Sequence, residues 1–148
     1  MDFGLLLGHA YQAFVHELHA HLAERGFPAV GSSYGFVLRT LDREAVTATQ
    51  LGERLGITAQ GAAKVVDEMV AHGYVERRPD PADKRAKQLH LAPGGTAMLA
   101  VVREFHAEYE ARLTQEVGAD EVAAVRRVLT AMVATSTGPD LARLFRPL

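Results

Sequence analysis

Two short runs of this chain hold side chains that could do chemistry on a polyanion. Thr58, Gln60, Gly61 and Lys64 open a segment of helical period, and Arg77, Arg78, Lys84, Arg85 and Lys87 crowd a turn-rich stretch after it. A glutamine amide can pair with an adenine edge, and a lysine can reach guanine or phosphate. Gly61 and Ala62 are small enough to let a helix sit deep in a major groove, although the glycine costs about 1 kcal/mol of helix propensity. Arg85 can enter a narrow minor groove, where the potential is most negative. Asp83, two residues earlier, is expected to hold that arginine's loop by an ion pair, for orientation, since an exposed pair contributes little energy. Thr47, Thr49 and Gln50, at the start of the preceding helix, are candidates for contacts to a phosphate backbone.

Charge alone leaves the matter open. The chain carries a net −2, which argues against a nucleic-acid partner. Local charge matters more than the total. From Glu76 to Lys87 five cations stand against three anions (Glu76, Asp80, Asp83), a segment of +2 that leaves −4 for the remainder. A solvated charged loop would look the same.

The elements that would position these residues follow from period and punctuation. Phe3, Leu7, Ala10, Phe14, Leu18 and Leu22 recur at helical spacing, predicting a helix from Phe3 to Glu24 that Gly26-Phe27-Pro28 stops. A second helix is expected from Ser32 or Ser33 to Leu41, with Phe36, Val37 and Leu38 inward. Thr47-Ala48-Thr49-Gln50 reads as a capping box. The helix it opens carries Leu51 and Leu55 and ends at Gly56, suited to a left-handed turn. Thr58 caps a third helix, Ala59 to His72, closed by Gly73. Tyr74-Val75 and Ala86 to Leu91 then alternate as strands around the turn residues Pro79 to Asp83. Pro93 opens a helix to Glu116 and another runs from Asp120 to Thr135, separated by Gly118. The tail Leu141-Ala142-Arg143-Leu144-Phe145 is apolar enough to dock. The sum is a mainly α chain with a small β-hairpin wing: two helices across a short turn, then a hairpin, form a winged helix-turn-helix.

Composition bounds the alternatives. At 148 residues and 48% hydrophobic, the chain has the material for one core, and its 23% of charged residues reads as ordinary and not disordered. The absence of cysteine excludes disulfides, thiolate zinc sites and thiol catalysis. No apolar run approaches a membrane span and the N-terminus lacks a signal-peptide pattern, so a cytoplasmic, membrane-free protein is expected. There is no nucleophile elbow, phosphate-cradling loop or His-Glu-x-x-His, and Gly31-Ser32-Ser33-Tyr34-Gly35 follows a loop instead of a strand; an enzyme is not expected. No cofactor is implied.

Seven histidines invite a metal hypothesis. His9 and His16 share a helix face but lie about 10 Å apart along the axis. His16 and His19 could share zinc if Glu17, His106 or a partner subunit supplied a third ligand. His21 falls on the apolar stripe and is expected to pack.

The runs Leu51-Gly52-Glu53-Arg54-Leu55-Gly56-Ile57-Thr58, Val66-Asp67-Glu68-Met69-Val70, Gly73-Tyr74-Val75-Glu76-Arg77 and Asp80-Pro81-Ala82-Asp83-Lys84-Arg85 resemble the MarR (multiple antibiotic resistance regulator) family. The most specific piece is the Asp-Pro-x-Asp-x-Arg tip after Gly-Tyr-Val-x-Arg. The resemblance implies one domain: a DNA-binding lobe over residues 32–91, and a helical dimerisation stem from residues 1–25 and 93–148. It implies a homodimer on a pseudo-palindromic double-stranded operator, with Arg85 in the minor groove and a ligand cleft between stem and lobe. Tyr11, Phe14, Tyr34 and Leu38, bulky groups on the first two helices, are the candidates for the cleft wall. The expected function is a sequence-specific transcription regulator, a repressor released by a small-molecule effector; the alternatives are a zinc-responsive regulator using His16 and His19, and a winged-helix module that contacts only proteins. The chain departs from the family at Ala92, where Thr or Ser usually caps the next helix. With Gly94-Gly95 following, a loosened joint between wing and stem is expected.

Overall fold

The computed structural model describes residues 1–28 and 30–135. The apolar tail segment 141–145 lies outside the described residues. Among these, no helix is long and apolar enough to cross a membrane.

Helix α1 (Phe3–Glu24) is capped by Asp2, whose Oδ1 accepts from the Leu5 N–H at 2.9 Å. Only Leu22 of its stripe is fully buried; Phe3, Leu5 and Leu6 at the other end stay exposed. Helix α2 (Tyr34–Arg43) starts after Ser33, whose side chain makes no cap hydrogen bond, and buries Tyr34, Val37, Leu38 and Leu41. Phe36 is only half-buried. Gly31 makes room for the Tyr34 ring, which a Cβ there would meet at 2.6 Å.

The capping box forms. In β1 (Val46–Thr47) and α3 (Ala48–Leu55), the Thr47 hydroxyl accepts from the Gln50 N–H at 3.2 Å and the Gln50 Oε1 from the Thr47 N–H at 2.9 Å. Gly56, at φ 63°, turns the chain left-handed as a C-cap. Helix α4 (Ala59–Ala71) buries Ala62, Val66 and Met69 and ends before Gly73. Strands β2 (Val75–Pro79) and β3 (Lys87–Leu91) pair antiparallel with Val75 opposite Leu91. The hairpin gains a third strand that the sequence reading lacks: β1 pairs with β3, Val46 opposite Leu89, giving the order β1-β3-β2. Two residues are too few to show alternation, but the buried Val46 anchors the pair.

Helices α5 (Pro93–Val117) and α6 (Ala119–Ala134) complete the described chain. Met98, Leu99, Val102 and Phe105 carry α5 into the core. Helix α6 buries nothing: Val125, Val128, Leu129, Met132 and Val133 are 40–57% exposed. Large apolar side chains left in water along one helix are the pattern that contact surfaces present.

The joint between wing and stem corrects the expectation of looseness. Ala92 indeed makes no side-chain cap. Its N–H donates instead to the Tyr74 carbonyl at 3.1 Å. A Cβ on Gly94 would sit 2.6 Å from the Gly73 carbonyl oxygen, and one on Gly95 2.0 Å from that of Tyr74. The two glycines therefore do not slacken the turn; they let two backbones touch where side chains would hold them apart.

Candidate nucleic-acid interface

The turn between α3 and α4 is fixed by small residues and one cap. A Cβ on Gly52 would stand 3.2 Å from the Ile57 carbonyl and 3.3 Å from the Ala62 Cβ, so the bare glycine lets the helices close. The Thr58 hydroxyl accepts from the Gly61 N–H at 3.0 Å, leaving its own hydrogen to donate outward. Thr58, Gln60 and Lys64 are exposed on the first turns of α4, and Gly61 is half-buried beneath them. Replacing Thr58 with Ala should cost about 1 kcal/mol of stability, read as a lower urea midpoint at unchanged slope. An unaltered midpoint would mean that the cap is not holding the turn.

Thr47, Thr49 and Gln50 start α3 on the same lobe. Thr47 and Gln50 are engaged in their capping box, while Thr49 is exposed without a cap role. The glutamine NH2 stays available, because only Oε1 is used.

The wing tip is built differently from the expected ion pair. The Asp83 carboxylate accepts from the backbone N–H of Arg85 at 2.9 Å, and Asp80 from that of Ala82 at 2.8 Å. Ala86 N–H donates to the Asp83 carbonyl at 3.0 Å and Asp80 N–H to that of Ala86 at 3.1 Å, closing the loop. Asp83 thus orders the backbone and leaves the guanidinium of Arg85 without an ion-pair partner among the described residues. Lys64, Lys84 and Lys87 are exposed and equally unpaired there. Arg77 and Arg78 differ: Arg77 pairs with Asp67 of α4, and Arg78 with Glu76 on its own strand. Arg77 braces wing against helix, and its exposed pair adds little to stability.

A second feature lies behind this lobe. A cleft of about 440 Å³ opens between α1, α2 and α5, with Tyr11, Phe14 and Leu38 in its wall. Tyr34 is not part of it. Its side chain is buried and meets Tyr74 edge-on, ring centroids 6.1 Å apart, and burial pushes its phenol above the ordinary tyrosine range. The cleft's polar groups are His19, Ser32, Arg39 and His106; the sequence reading singles out the two histidines only as possible metal ligands and Ser32 only as a helix start, and leaves Arg39 unmarked. Arg39 and His106 stand 67 residues apart, a separation at which no local pattern speaks. A neighbouring hollow of about 530 Å³ lies between α1, α5 and α6, and Phe14 and His106 form part of the wall of both.

The histidines do not assemble. Among the described residues, no group of three His, Cys, Asp or Glu is placed to hold a metal ion. His16 is exposed, His19 lines the cleft, and Glu17 pairs with Arg112. His21 packs against Phe105 at 5.4 Å, with its Nε2 buried and without a hydrogen-bond partner among the described residues.

Residues 32–86 match the sequence model of the MarR family. Over 89 residues the chain is 33% identical to the multiple antibiotic resistance protein MarR of Escherichia coli (strain K12), spanning 57% of this chain and 59% of that protein. The chain thus covers somewhat less than two thirds of that relative's length. The HTH-type transcriptional regulator PetP of Rhodobacter capsulatus is 28% identical over 125 residues, 84% of this chain and 74% of its own. Among solved structures, the transcriptional repressor CouR bound to a 23-mer DNA duplex superposes with a TM-score of 0.69 at 25% identity, covering 89% of this chain and 92% of that one. A mutant MarR from E. coli complexed with operator DNA gives a TM-score of 0.65 at 26% identity, covering 87% and 91%.

Proposed function

We propose that this chain is a transcription regulator of the MarR family, whose sequence model it matches over residues 32–86, and that its winged lobe binds double-stranded DNA as a homodimer. The observation that carries this reading is the wing tip. Asp83 and Asp80 turn their carboxylates to backbone N–H groups, so Lys84 and Arg85 stand exposed without an ion pair among the described residues. On the same lobe Gln60 and Lys64 stand exposed on the first turns of α4, suited to base edges and phosphate in a major groove. The duplexes bound by two of the similar structures, CouR and the MarR mutant, support the same reading.

The dimer follows from the uncovered apolar face. Helix α6 and the start of α1 leave large hydrophobic side chains in water, and a second copy meeting them through a two-fold axis would bury both sets. The cleft beneath the lobe is the seat for an effector. Its walls are mostly apolar, with Arg39, His19 and His106 as the polar groups, which suits a small organic anion with an apolar body. Occupation there would shift the lobe relative to the stem and release DNA, the action of a repressor.

Fluorescence anisotropy with a duplex covering the region upstream of the protein's own reading frame tests the reading. Binding should weaken steeply with salt, since four neutralised phosphates alone lower affinity about a hundredfold between about 50 and about 200 mM. A salt-insensitive interaction, or equal affinity for a shuffled duplex, would sink it.

A further inference from the structure

We propose that the contact between His106 and Arg39 is a proton-operated latch, which holds α2 of the lobe against α5 of the stem while the imidazole is neutral and opens in mild acid. The Nη2 of Arg39 lies 3.1 Å from the Nε2 of His106. A guanidinium has only donors, so the ring nitrogen facing it must be the acceptor and carry no hydrogen. A proton added at that nitrogen removes the acceptor and sets two cations against each other. The hydrogen bond and the charged ring exclude one another.

The surroundings keep the ring neutral. Phe14 and Phe105 flank it at centroid distances of 5.2 and 6.1 Å. Burial, and then the Arg39 charge, hold His106 below the ordinary histidine range. The charged and titratable groups around it give no relief: α1 contributes Tyr11 and His19, α2 Arg39, and α6 Arg126, while on α5 itself Arg103, Tyr109 and Glu110 lie about one turn away. Glu110 is paired with Arg126 and Arg103 with Asp42.

The latch sits where it can act. Arg39 meets His106 and Asp42 meets Arg103, so the two links lie one turn apart along helices that run antiparallel. Among the described residues they are the side-chain hydrogen bonds that join α2 to α5. Protonating His106 breaks one and leaves the other. Because His106 belongs to the wall of the effector cleft, the same event frees Arg39 at that cleft. The native ring takes up a proton less readily than an unfolded histidine, which titrates near about 6.5. The latch's contribution to stability is therefore complete above that pH and is lost as pH falls through and below it.

Histidine imidazole NMR and hydrogen exchange, the latter corrected for intrinsic rates, test this on the full chain between about pH 7.5 and about pH 5.5. Exchange of α2 amides should rise about fivefold or more on acidification, and less than about twofold in His106→Gln, which can still accept from Arg39 but cannot gain a proton. His16→Gln, exposed on α1 and outside the cleft wall, should keep the wild-type response. Arg39→Gln should raise the His106 titration midpoint and flatten the α2 response, which guards against a His106 variant that folds poorly. If His106→Gln retains the wild-type pH response, or Arg39→Gln leaves the His106 midpoint where it was, the latch is overturned. Resting on the DNA reading as well, duplex affinity should fall about fivefold over the same interval in the wild type and stay within about twofold in His106→Gln. Absence of duplex binding at any pH, with the α2 response as stated, would refute the DNA reading and leave the latch standing.

Discussion

Arg85→Ala is expected to lower affinity for the upstream duplex about a hundredfold, with the fold unchanged. Each wing presents one such arginine, so a dimer would lose two charge-assisted contacts of about 1.5–3 kcal/mol each. The full additive figure would exceed a hundredfold, but the adjacent exposed Lys84 recovers part of it. The geometry explains why the arginine should be worth so much. Its backbone N–H is held by Asp83 at 2.9 Å and the loop is closed by the Ala86 and Asp80 amides, so little ordering remains to be done on binding. Asp83→Ala separates aim from charge: affinity should fall by less, about tenfold, while the slope against salt stays as in the wild type. Arg85→Ala should instead make that slope shallower by about 0.9 per wing. Anisotropy at four salt concentrations distinguishes the two, and an Arg85→Ala protein that binds like the wild type would end the wing's role.

The second large effect concerns the seam between wing and stem. Gly95→Ala would place a Cβ 2.0 Å from the Tyr74 carbonyl oxygen and 3.3 Å from Leu38 Cδ2. The obstacle is backbone on one side and the core on the other, so neither yields cheaply. Overpacking of this kind costs about 1–3 kcal/mol and occasionally more, and the alanine's better helix propensity returns at most about 1 kcal/mol. A net loss of about 2 kcal/mol is expected, visible as a lower urea midpoint. The same change at Gly8, on α1, meets nothing within 4 Å and should be neutral or stabilising. If Gly95→Ala proves as harmless as Gly8→Ala, the seam is not tight.

These two residues also show what could be read in advance. The wing tip was legible because its chemistry is local: Asp80, Asp83 and Arg85 lie within six positions, and turn residues bond to their own neighbours. The same holds for the Thr47–Gln50 box, the Gly56 turn and the Thr58 cap. Gly94-Gly95 read wrongly because propensity is also local, whereas the reason for those glycines is Gly73 and Tyr74, some twenty residues upstream. Asp83 was placed beside Arg85 correctly, but its partner is the backbone N–H and not the guanidinium. Tyr34 was expected in the cleft wall since α2 has bulky groups on more than one side; the Tyr74 ring decides which side it takes. The cleft's polar equipment, Arg39 with His106, depends wholly on how α2 and α5 are docked.

The short strand β1 changes what kind of machine the lobe is. Thr47 both pairs with Gln88 of the wing and caps the helix that leads into the Gly56 turn. Arg77 ties the other side of the hairpin to α4. The wing is therefore tied to α3 through Thr47 and to α4 through Arg77. If it binds DNA as proposed, such a lobe has little freedom to tilt its wing toward one groove while α4 adjusts to another. Mismatch in a target's local twist would then fall on the DNA, because the seam at Gly94 and Gly95 also holds two backbones in touch.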